Sequence, residues 1–99
     1  MHLGTLPDLE SAIDKALTQV RRALASGMET MDGSSARPQL ETLERELAAQ
    51  KAFVSKRGSV DREWLQTTIR WVIEWVPDDE LTLVASLGAI ARAAPPDLS

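Results

Sequence analysis

The sequence has no cysteine and one histidine, His2. Without cysteine there is no disulfide framework, no thiolate metal site and no Cys nucleophile. With one histidine, at an end of the sequence expected to fray, no Ser/His/Asp set can be assembled. The Glu-x-x-His pairs of a di-iron bundle are missing as well. No metal or cofactor is therefore expected. Glycine-rich phosphate cradles are absent: neither Gly-x-Gly-x-x-Gly nor a P-loop occurs. No apolar run reaches the ~18 residues of a membrane span. The opening "MHLGTLPDLE" lacks the basic and apolar regions of a signal peptide. A cytoplasmic protein without membrane contact is expected.

Basic residues are not in surplus. Eleven Lys and Arg face 15 Asp and Glu, for a formal net charge of −4. The bases are interleaved with acids, whereas a duplex-binding surface carries a basic stripe that displaces counterions. Direct nucleic-acid binding is disfavoured. Two-residue apolar alternation is not sustained anywhere, so strands are not expected.

What is present is helical periodicity. Ninety-nine residues make one domain of limited burial, spanning 1–99. The predicted fold is all-α, a four-helix arrangement in which a long antiparallel helical hairpin precedes two shorter helices. The helices are expected at about 6–31, 36–56, 60–76 and 79–94, from the apolar spacing and its punctuation.

Leu6, Leu9, Ile13, Leu17, Val20 and Leu24 lay one stripe along the first helix. Thr5 and Asp8 have capping-box spacing, and Pro7 suits a first turn. Met28 and Met31 prolong the stripe, which predicts a helix running through Gly27. "DGSSARP" is the loop, with Ser34 or Ser35 as the next cap. Leu40, Leu43, Leu47 and Val54 form a narrow second stripe, with Phe53 off it. Lys56 and Arg57 suit the negative end of that helix, and Gly58 a left-handed stop. Ser59 is the expected cap of the third helix, which Pro77 ends by forcing Val76 out of helical angles. Asp78 is the expected cap of the fourth, with Pro95 and Pro96 beyond its end.

All three tryptophans lie within "WLQTTIRWVIEWVPDDE". At 100° per residue, Trp71 and Trp75 fall at about −20° and +20° from Trp64, on a line that also takes in Thr68. Leu65, Ile69, Val72 and Val76 cluster at about 80° to 140°. So wide an apolar arc requires cover on two sides: two neighbours within a bundle, or one neighbour and one partner. Trp favours interfaces because it joins large apolar area to an indole N–H. The fourth helix is apolar or small nearly all round, with a ridge of Leu83, Leu87 and Ile90. An antiparallel hairpin alone leaves part of these two helices uncovered, which predicts a second copy or a foreign protein on them.

The expected function is a non-catalytic protein–protein interaction module, of adaptor, regulatory, inhibitor or immunity type. It would bind itself as a homodimer, or a protein partner, through Trp64, Thr68, Trp71, Trp75, Leu83, Leu87 and Ile90. The alternative is an acidic decoy for a nucleic-acid-binding protein, carried by Glu41, Glu44, Glu46, Asp78, Asp79 and Glu80. A helix-turn-helix reader is disfavoured because its second helix would open with acids on phosphate. A small helical-bundle enzyme is the weakest option, with Arg21 beside the first stripe its only candidate and no catalytic residue assigned.

Overall fold

The computed structural model describes residues 6–77 and 81–94. It contains four helices: α1 (Leu6–Ser26), α2 (Arg37–Arg57), α3 (Arg62–Trp75) and α4 (Thr82–Ala93). Among the described residues there is no strand, only an isolated bridge between Glu29 and Ser35. The expected all-α four-helix arrangement is what is found. Among the described residues no helix is long and apolar enough to cross a membrane. Thr5, Asp78, Asp79, Glu80, Pro95, Pro96 and His2 lie outside the described residues.

α1 and α2 form the antiparallel hairpin, and polar pairs across it fix the register. Glu10 accepts from the Ser55 hydroxyl, Asp14 pairs with Lys51 at 2.8 Å, and Glu44 pairs with Arg21 at 2.9 Å. Each step up α1 is matched by an equal step down α2. Such exposed pairs contribute about 0–1 kcal/mol each, so they select the register more than they hold it. The holding is apolar. Leu9, Ile13, Val20, Leu43, Leu47 and Val54 are fully buried between the helices and their neighbours.

α1 and α4, not α3, are the helices with two partners. α1 packs on α2 along one side and on α4 along the other, while α3 packs mainly on α4. Ala16 is buried beside the Leu stripe of α1. The body measures 44 × 22 × 20 Å. That cross-section is about two helix diameters, too thin to enclose any helix on every side.

The first helix stops earlier than its stripe suggests. It ends at Ser26, and Gly27 takes a φ of +72°. Met28 is still buried, but it reaches the core from the loop, while Met31 is exposed. The apolar periodicity continued across the break by coincidence of spacing. A Cβ at Gly27 would meet nothing within 4 Å, so the cost of a side chain there is purely a backbone cost. Gly27→Ala is expected to destabilise by about 1–2 kcal/mol, the left-handed penalty of an L-residue. Urea unfolding checks this, and stabilisation would mean that the helix runs on.

The α1–α2 loop is tightly organised. The Thr30 N–H donates to the Ser34 carbonyl at 2.7 Å, the Ala36 N–H to the Met28 carbonyl at 3.0 Å, and the Met31 N–H to the Trp75 carbonyl at 2.9 Å. The last bond ties the loop to the end of α3. Asp32 accepts from the Thr30 hydroxyl and from the Ser34 N–H. These two bonds, the hydroxyl first, hold the Asp32 carboxyl below its ordinary range. A depressed folded-state pKa gives stability that is present above the unfolded value of ~3.9 and is lost as pH falls through the folded value. Asp32→Asn should therefore be less stable than wild type at neutral pH. The gap should close below about pH 4 in pH-dependent thermal melts.

The caps differ in part from expectation. Ser35 accepts from the Arg37 N–H, but the N-cap of α2 is Ala36, with no side-chain bond. Gly58 is left-handed (φ 77°) after Lys56 and Arg57, as expected. α3 starts at Arg62 and is capped by Asp61, not Ser59, because Asp61 accepts from the Trp64 N–H at 3.1 Å. Buried Val60 holds the intervening chain against the core. Val76 is extended before Pro77, which closes α3.

Candidate functional site

The two apolar sides of α3 have different surroundings. Leu65, Val72 and Val76 are buried in the core, with Ile69 partly buried beside them. The tryptophan line is divided. Trp64 and Trp71 are half-buried, while Trp75 is 8% exposed and lies under the α1–α2 loop. Trp71 and Trp75 meet edge to face, with centroids 5.3 Å apart and an interplanar angle of 70°. Trp75 thus braces Trp71 from the interior. Among the described residues the Trp75 indole N–H is buried without a partner, as is Oε1 of Gln39, and both residues line a depression of about 230 Å³ beside the loop.

Trp64 and Trp71 line a groove of about 380 Å³ between α2 and α3. Thr42 and Glu46 form its α2 wall, and Thr67 and Thr68 complete the α3 wall. Asp61 and Glu63 stand at its end. The groove exists because α2 and α3 are not packed closely together; both are held through other helices. Two hydrogen bonds bridge them. The Trp64 indole N–H donates to Glu46 at 2.8 Å, and the Asp61 N–H donates to Gln50 Oε1 at 3.1 Å. The first bond sets the orientation of the Trp64 ring, and Thr68 is buried at the base.

The electrostatics of the groove are one-sided. Glu46, Asp61 and Glu63 line it, and no Lys or Arg does. The ion pairs Arg21–Glu44, Arg37–Glu41 and Lys51–Asp14 include none of these three carboxylates. The cation–π contact recorded among the described residues is Arg57 over Phe53, 5.7 Å from its centroid, outside the groove.

Several expected site residues lie elsewhere. Leu83, Leu87 and Ile90 are 4%, 1% and 0% exposed, so the α4 ridge is core within one chain. α1 and α3 cover it, which removes the need for a second copy there. Glu41 and Glu44 are ion-paired along α2 and across the hairpin, so the acidic face has lost two of its charges to local partners. Glu46 belongs to the groove. Asp78, Asp79 and Glu80 lie outside the described residues. Arg21 is taken by Glu44. No group of His, Asp and Glu suited to a metal ion occurs among the described residues.

Thr42 and Thr67 were not expected at the site. Their signal was faint: Thr42 and Glu46 are one turn apart on α2, flanking the Leu43–Leu47 stripe on a single side. Nothing local says that α3 faces that side.

The fold and groove define a small all-α domain with an aromatic, acidic surface cleft between two of its helices. No protein-family model, curated protein or solved structure matches the chain.

Proposed function

We propose that this chain is a non-catalytic protein-interaction module, and that its binding surface is the α2–α3 groove with Trp64 and Trp71. One observation carries the proposal. Two large aromatic rings remain partly exposed, one hydrogen-bonded and one braced by Trp75, on a helix whose other side sends Leu65, Val72 and Val76 into the core. Interface anchors have this character: large apolar area, restricted rotamers and a partial seal of neighbouring side chains. Held rings lose little further entropy on binding.

The test is affinity capture from a lysate of the source cell, with wild type and Trp71→Ala run side by side and the products read by native mass. A protein held by wild type and lost by the variant is the expected result. Identical products from both would overturn the proposal. Light scattering at micromolar concentration tests the other expected occupant, a second copy, which gives about twice the monomer mass.

A further inference from the structure

We propose that the α2–α3 groove receives an arginine side chain from a basic segment of a partner protein, with Trp64 and Trp71 as its floor and Glu46, Asp61 and Glu63 as its counter-charges. This rests on the groove being an interaction surface and names what that surface takes.

Three features of the groove point the same way. Its lining holds three carboxylates and no base. A cation is attracted to an indole face, and more strongly where water is partly excluded. The ion pairs Arg21–Glu44, Arg37–Glu41 and Lys51–Asp14 and the Arg57–Phe53 contact lie elsewhere. The acceptors also have capacity. Oε1 of Glu46 takes the Trp64 indole N–H and Oδ1 of Asp61 takes the Trp64 backbone N–H, but each carboxylate offers about four lone-pair sites. Size agrees, since about 380 Å³ lies in the usual range of ligand clefts, roughly 300–1,000 Å³.

Arginine fits better than lysine. Its planar guanidinium stacks on an aromatic ring while its edge pairs bidentately with a carboxylate, and it is shed from water more easily than an ammonium. A second copy fits poorly. In a two-fold contact the same patch meets itself, which brings the carboxylates of one groove towards those of the other. A nucleic-acid backbone has the wrong sign.

The test is a titration of the full ¹⁵N-labelled chain, following its three indole N–H signals. The probes are blocked hexa-arginine, blocked hexalysine and an uncharged Gly/Ser peptide of equal length. Hexa-arginine should move Trp64 and Trp71 saturably and leave Trp75 in place. Hexalysine should bind at least about threefold more weakly, and the uncharged peptide should do nothing. Glu46→Gln retains an acceptor for the Trp64 indole but removes the charge, and should weaken hexa-arginine by about tenfold. Glu41→Gln, which alters an acid outside the groove, should change it little.

Equal binding by wild type and Glu46→Gln, or no movement of Trp64 and Trp71, overturns the proposal. The wider reading fails separately. If Trp64 and Trp71 move with protein concentration alone, or with a neutral apolar peptide and not with hexa-arginine, the groove is an interaction surface and the arginine assignment is wrong. If no probe or concentration moves them and capture shows no Trp71-dependent partner, both are wrong.

Discussion

Leu87→Ala is expected to destabilise the domain by about 2–5 kcal/mol, the range for truncating a buried leucine. Leu87 is 1% exposed and sits between Leu83 and Ile90 on the side of α4 that α1 and α3 cover. Removing its three outer carbons leaves a cavity, because helices packed on both flanks cannot both move inward. Small domains have total stabilities near 5–15 kcal/mol, so the variant should be partly unfolded well below the wild-type melting temperature. A melting curve with the wild-type midpoint would contradict this placement of α4 and would restore its ridge to the surface.

Trp71→Ala should behave in the opposite way, with a folded domain and a lost partner. Its ring is partly buried rather than enclosed, so truncation forfeits less burial than the 3–5 kcal/mol of an enclosed tryptophan. The edge-to-face contact with Trp75 adds about 0.5–1.5 kcal/mol to the loss. Association should weaken by about 2 kcal/mol or more, since an anchor central to an aromatic patch carries a disproportionate share of binding energy. Circular dichroism and affinity measured on the same preparation separate the two effects. A variant that fails to fold would assign the ring to the core.

The helices were legible because their signals are local. The Leu40–Leu43–Leu47–Val54 stripe, Gly58 after two basic residues, and Pro77 after Val76 each act within a turn or two of the chain. Gly27 shows where local signals mislead. Met28 falls in phase with the α1 stripe, yet its burial comes through the loop, and only the backbone angle of Gly27 reveals the break. The width of the α3 apolar arc called for cover on two sides, whereas α3 packs mainly on α4; neither which helix lies where nor which tryptophan is covered is a local property. Trp64, Trp71 and Trp75 share a helical line and are divided by tertiary placement alone. Trp75 lies beneath the loop, whose Met31 N–H is tied to its backbone carbonyl. The ridge of α4 is likewise apolar in either role, and only the packing of α1 and α3 against it makes it core.

The central claim is that α3 holds the fold with one side and presents Trp64 and Trp71 to a partner with the other. Its most direct test is native mass spectrometry of material captured on wild type and on folded Trp71→Ala. The expected result is a bound protein on wild type that is absent from the variant. The same complex on both, or none on either, would contradict it.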